Sequence, residues 1–431
     1  MEISLIENRV AELLPKAGVN KKREIVRLVF EISAQRALPL EQILPYRKGA
    51  DFEKIKKELL KMRYPVNYGK ASLSSFYLPK LEPQVYKAAD YGVKEFYPNE
   101  IYVDQSSKNT ELAARVKNLF PAASYSVVPD KTVVGSKDYS DRYKTLYIIN
   151  EKFDFVKPCP CTGGAAGCGY NLVNLGFGCS YECAYCFLQE YQNMHAVLMP
   201  SNIKDFLSKI DGAKFTKGPF DKVRIGSGEF TDSLVFDHIT QYSKDIISFF
   251  ATRPEMYFEF KTKSVNIDGV LAQKAVPNIV VGWSVNAENI IDNAEYLTPS
   301  LGERLKAARK VADAGFSTAL HFDPVIIHEN WRANYTAAVR KMADMLEPEK
   351  VLWISVGTLR FNRELKKVIE ARHARTDILN GELLLGYDGK MRYSDAQRKE
   401  VYAFMLPLLE KYFPKSKIYL CMESPGMHRC L

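Results

Sequence analysis

The stretch that decides the fold is Cys179-Ser-Tyr-Glu-Cys183-Ala-Tyr-Cys186, which places three cysteines within eight residues. The preceding residues, Asn171–Gly178, are typical of a strand that ends in a glycine turn, and Phe187–Asn193 is typical of the start of a helix. The cysteines are therefore predicted to lie on a loop at the carboxyl end of a strand, where βα loops usually carry the chemistry. Three clustered thiolates favour a soft metal or an iron–sulfur cluster.

The number of local cysteines distinguishes a metal site with an open coordination position from one in which protein ligands fill every position. A closed iron–sulfur cubane and a closed zinc site each need four protein ligands, so three local thiolates would leave one iron of a cubane with an open position. A zinc knuckle that borrows a distant fourth ligand is an alternative, although the flanking patterns favour strand and helix over zinc-ribbon turns. A disulfide is a weaker alternative, because no secretory signal is present.

The bulk composition is that of a globular protein. The 431 residues suffice for two or three domains, and 46% of them are hydrophobic and 26% charged. No stretch approaches the roughly 18 apolar residues of a membrane span. We therefore expect a cytoplasmic protein that has no membrane partner and keeps its thiols reduced. The net charge of +9 permits a nucleic-acid partner without requiring one.

Changes of pattern along the chain predict four segments. They are a helical N-terminal region at 1–92, a small α/β unit at 93–156, a partial barrel with a cysteine-rich entry segment at 157–372, and a C-terminal hairpin, helix and tail at 373–431. The α/β unit is indicated by a helical pattern at Glu111–Leu119 between strand patterns at Glu100–Val103 and Ala123–Val128.

Beyond the cysteine loop, strand and helix patterns alternate, which predicts a parallel sheet with helical crossovers. The predicted strands are Leu172–Gly176, Lys222–Gly226, Tyr257–Thr262, Ile279–Val285, Ser317–Phe322 and Val351–Val356. One of the helices between these strands is predicted to run unbroken over Ser233–Phe250. Six strands rather than eight favour an α/β fold with a partial (β/α)6 barrel of the TIM type. Barrel enzymes build their sites from residues just beyond the carboxyl ends of the strands.

Polar residues follow the predicted strands at those ends, and they are candidate ligand-binding residues. They are Ser227, Gly228 and Glu229 after the second strand, Lys263 after the third, Ser284 and Asn286 after the fourth, and Arg304 in the following helix. Glycine lets the backbone approach a ligand closely, while hydroxyl, amide and cationic groups bind a ribose or a carboxylate. An exposed lysine at a strand end is the alternative for Lys263.

A second group of cysteines precedes the first. Cys159, Cys161 and Cys168, together with a C-terminal cysteine such as Cys430, are predicted as a possible second metal site that would hold another iron–sulfur cluster or a zinc ion. The alternative is that they are isolated thiols that shape the loop beside the main site. Cys159-Pro-Cys161 is poorly spaced for both sulfurs to bind one metal.

The C-x3-C-x2-C spacing resembles the signature of the radical S-adenosylmethionine (SAM) enzymes. The order of motifs from about residue 170 to about residue 425 resembles that of their spore photoproduct lyase branch. These motifs are Cys179 to Gln189, Asp232 with Asp237-His238, Thr262-Lys263, Ser284 with Asn286, Arg304 to Lys310, and Pro324 with His328-Glu329. The resemblance implies a 4Fe-4S cluster on Cys179, Cys183 and Cys186 whose open iron is chelated by SAM. An electron from a donor such as flavodoxin or ferredoxin would then yield a 5′-deoxyadenosyl radical that abstracts hydrogen from the substrate.

The same resemblance implies roles for individual residues. The SAM-binding residues would be Tyr185, Ser227, Gly228, Glu229, Lys263, Ser284, Asn286 and Arg304, and Tyr185 and Cys421 would be catalytic. Glu382–Tyr393 is similar to the family's DNA-gripping hairpin, with Asp388-Gly389 as a type I′ turn. Its Lys390 and Arg392 would contact phosphate, and Tyr387 and Tyr393 would stack on bases.

One departure from the family pattern affects the predicted reaction. Lyases of this branch carry, after the second strand, a cysteine that returns hydrogen to the thymine radical, and Glu229 takes that place here. A carboxylate cannot donate a hydrogen atom as a thiol does, so either Cys421 or another thiol substitutes, or the reaction is not dimer reversal. Three hypotheses follow: a radical SAM enzyme with an unidentified substrate, a lyase that repairs DNA photoproducts, and a zinc-bound nucleic-acid-binding protein without catalysis.

Overall fold

A computed structural model describes residues 2–81, 95–135, 138–152, 156–161, 164–192, 194, 196–215, 218, 220–386 and 388–429. The helices are α1 Ile3–Leu13, α2 Val19–Arg36, α3 Leu40–Ile43, α4 Phe52–Arg63, α5 Glu111–Leu119, α6 Leu188–Tyr191, α7 Ile203–Asp211, α8 Asp237–Thr240, α9 Tyr242–Phe250, α10 Asp268–Leu271, α11 Glu288–Ala294, α12 Leu301–Asp313, α13 Trp331–Met345, α14 Leu365–Arg372, α15 Asp395–Glu410 and α16 Pro425–Arg429. Among the described residues, no helix combines the length and apolar character needed to cross a bilayer.

The strands form several sheets. They are β1 Glu100–Asp104, β2 Ser124–Val128, β3 Thr145–Ile149, β4 Val156–Pro158, β5 Tyr170–Val173, β6 Glu182–Cys183, β7 Val197–Pro200, β8 Val223–Ser227, β9 Met256–Thr262, β10 Ile279–Ser284, β11 Glu295–Tyr296, β12 Ser317–Val325, β13 Val351–Thr358, β14 Arg360–Asn362, β15 Leu383–Leu385, β16 Lys390–Tyr393 and β17 Ile418–Leu420. The described residues divide into two compact units, the first from Met1–Ala88, Ile326–Glu329 and Leu359–Arg398, the second from Ala89–Val325, Asn330–Thr358 and Lys399–Leu431.

The first unit packs α1, α2 and α4 around an apolar core and adds the small antiparallel sheet β14-β16-β15. A buried ion cluster lies inside it. The Glu31 carboxylate accepts hydrogen bonds from Arg27 at 2.8 Å, Arg63 at 2.8 Å and Lys366 at 2.6 Å. Three cations on one carboxylate join helices α2, α4 and α14, so this unit depends on buried charge as well as on apolar packing.

The predicted hairpin is present, but its turn type is wrong, and Arg392 and Tyr393, predicted to contact nucleic acid, are both buried. Gly389 N donates to Gly386 O at 3.0 Å and Gly389 has a φ of 74°, whereas Asp388 is not at positive φ, so the turn is not type I′. Arg392 is 5% exposed and its guanidinium pairs with Asp388, so it is not offered to a phosphate. Tyr387, predicted to stack on a base, lies outside the described residues.

The second unit is built on an eight-stranded sheet in the order β17-β13-β12-β10-β9-β8-β5-β4. Six strands of this sheet correspond to the six predicted parallel strands, namely β5, β8, β9, β10, β12 and β13. The predicted α/β partial-barrel fold is therefore confirmed. Two short strands were missed: β4 pairs antiparallel at one edge, and β17 pairs parallel at the other. Each has three residues, which is too short for a periodic pattern to reveal.

A second sheet in this unit has the order β2-β1-β3-β7 with parallel pairing throughout. The predicted strand, helix and strand at 100–128 are present within it. The helix predicted at Ser233–Phe250 is wrong, because the chain forms α8 and α9 with Gln241 between them at a φ of 54°. Asp237 accepts a hydrogen bond from Ser243 N at 2.9 Å, which stabilises the break.

Candidate active site

The cysteine loop begins with a tight glycine turn beyond β5. Phe177 exchanges backbone hydrogen bonds with Leu198 at 3.1 and 2.8 Å, and this close approach leaves no room for a side chain at the neighbouring glycine. A Cβ atom on Gly176, whose φ is 140°, would lie 2.6 Å from Leu198 O. After the cysteine at 179, the loop runs into β6, which pairs antiparallel with β11. Because the turn follows β5, all three cysteines lie beyond the carboxyl end of that parallel strand.

Two side chains outside the cysteines hold the loop in shape. Buried Arg142 donates to Cys179 O at 2.9 Å, to Tyr181 O at 2.9 Å and to the Glu182 carboxylate at 2.9 Å. The Gln189 amide donates to Cys183 O, Ala184 O and Cys186 O at 3.2, 3.1 and 3.3 Å. Neither role was predicted from the sequence. Gln189 lies inside the motif that runs from Cys179 to Gln189. Arg142 lies far upstream of the cysteine loop, and no sequence pattern connects the two.

The thiols of Cys179, Cys183 and Cys186 are close enough to act on one another electrostatically. Burial, and then the Asp232 carboxylate, raise the pKa of Cys179 to about 12, and burial also raises the pKa of Cys183 and Cys186. Tyr181 N donates to Cys179 Sγ at 3.4 Å, and Lys263 opposes the increase at Cys183. Amide donors and a nearby cation both favour sulfur as a thiolate, so this group suits a cluster held by three ligands.

A buried ion network lies beside the thiols. Arg304 Nη1 and Glu295 Oε2 are 2.7 Å apart, and both side chains are almost fully buried. Burial lowers the pKa of Lys263, but Cys183 and Glu295 outweigh it and hold that pKa above its ordinary value. The Tyr185 hydroxyl donates to Glu295, and Lys263 Nζ lies 5.6 Å from the Tyr185 ring centroid. Glu295, which the sequence analysis missed, therefore connects three of the predicted site residues.

Every guanidinium nitrogen of Arg304 also donates a hydrogen bond within the protein. Arg304 Nε donates to Pro299 O at 2.8 Å, Nη1 to Ser284 O at 3.0 Å and Nη2 to Thr298 Oγ1 at 2.6 Å. Asn286 is likewise fixed, since its Nδ2 donates to Pro324 O at 3.0 Å and its Oδ1 accepts from Tyr335 at 2.6 Å. These contacts orient Arg304 and Asn286 at the end of β10, together with the half-buried Ser284.

The loop beyond β8 contacts the cysteine loop directly, since Gly178 N donates to Phe230 O at 2.9 Å. Gly228 has a φ of 100°, and a Cβ atom there would lie 2.8 Å from Lys261 O. Ser227 shares a hydroxyl hydrogen bond with Ser233 at 2.8 Å, and Glu229 is 2.9 Å from Lys157 Nζ. The structure thus gathers the predicted residues of the β8, β9 and β10 loops around the thiols.

The end of β9 is tied to the β8 loop by one carboxylate. Asp232 accepts hydrogen bonds from Lys263 N at 2.6 Å and from Leu234 N at 3.0 Å. The Thr262 hydroxyl donates to the same carboxylate. Asp232 therefore fixes the backbone that presents Lys263, a role that the resemblance alone did not assign.

The other predicted cysteines lie together elsewhere in the second unit. Cys159 is hydrogen bonded to Cys161, and Cys168 and Cys421 lie close to it. Cys430, the predicted fourth member, lies outside the described residues. The hydrogen-donor role of Cys421 stays a prediction.

Comparisons with known proteins agree on one family. The family model described as spore photoproduct lyase matches residues 152–421. The spore photoproduct lyase of Bacillus subtilis (strain 168) is 27% identical over 347 residues, covering 75% of this chain and 98% of that protein. That of Geobacillus sp. (strain Y412MC61) is 26% identical over 349 residues, covering 76% and 99%.

Solved structures extend the similarity to the fold. A spore photoproduct lyase double mutant with bound AdoMet and dinucleoside spore photoproduct superposes with a TM-score of 0.64 at 22% identity, covering 77% of this chain and 100% of that chain. A single mutant with dinucleoside spore photoproduct alone gives a TM-score of 0.64 at 23% identity, covering 76% and 99%.

Proposed function

The chain belongs to the spore photoproduct lyase family, whose members are radical SAM lyases, and on that premise we propose that it uses SAM to abstract hydrogen from a substrate other than the spore photoproduct. The observation that carries the proposal is the convergence of three thiols with Lys263 and Glu295 at the carboxyl ends of the barrel strands. Such a convergence of charged and nucleophilic groups at this end of a barrel is typical of an active site.

The residues of the cysteine loop fit a 4Fe-4S cluster. Cys179, Cys183 and Cys186 would be its ligands, while Arg142 and Gln189 keep the loop carbonyls in place. When bound, the cluster supplies an electron, and SAM supplies the group that removes hydrogen. A small redox protein of the flavodoxin or ferredoxin kind would deliver the electron.

The surrounding polar residues would bind SAM. Lys263 carries a positive charge beside the thiols and would pair with the SAM carboxylate. The residues proposed to contact the amino group, the ribose or the carboxylate are Ser227, Gly228, Glu229, Ser284 and Tyr185. Arg304 and Asn286 would act through Glu295, because their polar atoms already bind the protein.

The presence of a carboxylate at Glu229, where lyases of this branch have a thiol, favours a substrate other than the spore lesion. The Glu229 carboxylate forms an ion pair with Lys157 at 2.9 Å. A carboxylate has no hydrogen atom to return to a substrate radical, unlike a thiol. The reaction would then end without hydrogen return from this position.

Repair of a DNA photoproduct is the second candidate. It is favoured by the near-complete coverage of lyase relatives, 98% of the Bacillus subtilis protein. Nucleic acid would be the partner, and Cys421 would have to donate the hydrogen. The third hypothesis, a zinc-bound protein without catalysis, is set aside by the family assignment.

An anaerobic assay with a chemical reductant, SAM and the dinucleoside spore photoproduct tests the proposal. We expect 5′-deoxyadenosine to form, with no release of repaired dinucleoside above that of a Cys179→Ser control. Release above the control would establish repair instead. Absence of both 5′-deoxyadenosine and repaired dinucleoside from the fully loaded enzyme would contradict both candidates.

A further inference from the structure

A second group of cysteines gathers where the two edges of the eight-stranded sheet come together. Cys159 and Cys161 follow β4 at one edge, and Cys421 directly follows β17 at the other. Cys161, Cys168 and Cys421 all lie close enough to Cys159 to interact with it electrostatically. Four thiols from three separate points of the chain therefore share one location.

Backbone hydrogen bonds hold these points together. Cys159 N donates to Tyr170 O at 2.9 Å, and Cys421 N donates to Val356 O at 2.8 Å. Ala166 N donates to Glu423 O at 2.8 Å, which ties the glycine-rich turn between Cys161 and Cys168 to the segment that follows Cys421. The four thiols thus sit on backbone that is fixed independently of any ligand.

A buried cation lies beside the group with donors to spare. Arg224 is 1% exposed, and its Nε and Nη1 atoms have no hydrogen-bond partner among the described residues. Its Nη2 donates to the Tyr419 hydroxyl on β17 at 3.0 Å. The guanidinium lies over the Trp353 and Phe220 rings at 4.0 and 4.2 Å, which offsets part of the cost of burying it. Its charge also reaches Cys168, so an anionic group at the cysteines would stabilise it further.

We propose that Cys159, Cys161, Cys168 and Cys421 form a closed zinc site that joins the two edges of the partial barrel. Four thiolates around Zn²⁺ carry two net negative charges, and Arg224 lies where it can compensate them. A closed site with four protein ligands has no open position for a substrate, so its role is structural. The site is independent of the cluster on the Cys179 loop.

The contact between Cys159 and Cys161 favours zinc over a second cluster. Zinc–sulfur bonds of about 2.3 Å place the sulfurs of a tetrahedral site roughly 3.8 Å apart. Cys161 N donates to Cys159 O at 2.7 Å, and this tight turn keeps the two neighbouring side chains close together. A cubane spreads its ligands over four irons, so its thiolates lie further apart.

Both thiol groups must contract to bind a metal. Across the described part of the chain, no three His, Cys, Asp or Glu side chains already stand at metal-ligand spacing. This applies equally to the Cys179 loop, whose family binds a cluster there. Closure at either place therefore requires the thiols to turn inward on their fixed backbone.

The proposal changes the expected role of Cys421. A sulfur that is bound to zinc is a thiolate and carries no hydrogen atom. Cys421 as a zinc ligand is therefore incompatible with Cys421 as a hydrogen donor, and the fourth ligand is Cys421 rather than the Cys430 expected from the sequence.

Metal counting on the anaerobically purified full chain tests the site. We expect about one zinc and about four irons per chain, with four sulfides. Cys421→Ser and Cys168→Ser should lower the zinc content at least tenfold and leave iron in place. Cys179→Ser should do the reverse, and Cys430→Ser, the matched control, should keep both metals.

Several results would overturn the proposal. They are about eight irons without zinc, full zinc in Cys421→Ser, or loss of zinc in Cys430→Ser. If the serine variants are insoluble, cobalt(II) exchanged for zinc in the unmodified chain reports the ligands, because four thiolates give intense tetrahedral charge-transfer bands. Fewer than four thiolates on cobalt would also refute the site. Loss of iron alone would contradict the proposed function and leave this inference standing.

Discussion

At the scale of single residues, Lys263 is the buried cation beside Cys183 that is proposed to pair with the SAM carboxylate. Replacing it with methionine keeps the length of the side chain and removes the charge. We expect Lys263→Met to weaken SAM binding by about 1–3 kcal/mol, because a hydrogen bond to a charged group is lost. Equilibrium dialysis of the cluster-loaded enzyme measures this. Lys306→Met, an exposed lysine on α12, should leave SAM affinity unchanged; equal losses in both variants would contradict the placement of Lys263.

Glu295 allows a matched comparison of a buried and an exposed ion pair. Glu295→Gln leaves Arg304 buried without its anion, so we expect a loss of about 3–5 kcal/mol in the free energy of unfolding. Glu288→Gln breaks the exposed pair with Lys341, where both side chains are nearly half exposed, and should cost less than about 1 kcal/mol. Urea unfolding of both variants measures the difference. Similar losses would mean that the Glu295–Arg304 pair does not hold β11 against α12.

A residue can be proposed from sequence where it belongs to a local pattern. Spacing and strand order singled out the cysteines at 179, 183 and 186 and the polar residues at strand ends, and their roles stay predictions. Arg142 and Glu295 were missed because their roles depend on contacts with segments far away in sequence, and an isolated arginine or glutamate has no pattern of its own. Arg392 was assigned to phosphate, yet its charge is neutralised by Asp388.

At the scale of elements, the barrel strands carry a polar network inside the sheet. Glu259 Oε1 accepts from His321 Nε2 at 2.6 Å and from Trp353 Nε1 at 3.0 Å. A Cβ atom at Gly282 would lie 2.2 Å from that same oxygen, so only glycine fits there. The parallel strands were predicted from apolar runs, but this network was not. A single polar residue in a strand, such as Glu259 or His321, does not reveal which residue on another strand it will bond.

This network predicts acid sensitivity of the barrel. Burial raises the pKa of Glu259, but the His321 contacts outweigh it and lower that pKa to about 2, while burial lowers the pKa of His321. A lowered folded-state pKa means that the stabilisation is present above the unfolded pKa values of about 4.3 for Glu and about 6.5 for His, and is lost as pH falls.

The measurement is the free energy of unfolding in urea between pH 7 and pH 3. From a pKa lowered to about 2, Glu259 contributes at most about 3 kcal/mol, lost progressively as pH falls below its unfolded value. Glu259→Gln should show a shallower decline over the same interval. If the free energy of unfolding declined with equal slope in both proteins, groups other than Glu259 would cause the acid sensitivity.

At the scale of the whole molecule, cofactor binding should determine the stability of the second unit. On the proposed function, SAM would bind at a cluster held by the three loop cysteines, so it would bind only the folded, loaded protein. At a SAM concentration of 100 times its dissociation constant, we expect about 2.7 kcal/mol of added stability. Denaturant unfolding under anaerobic conditions, with and without SAM, measures the increment. Cys179→Ser should show none of it, since the cluster is lost, while Cys430→Ser should retain it in full. Stabilisation of Cys179→Ser by SAM would mean that the cofactor binds without the cluster, and that the three-thiolate site is not what holds it.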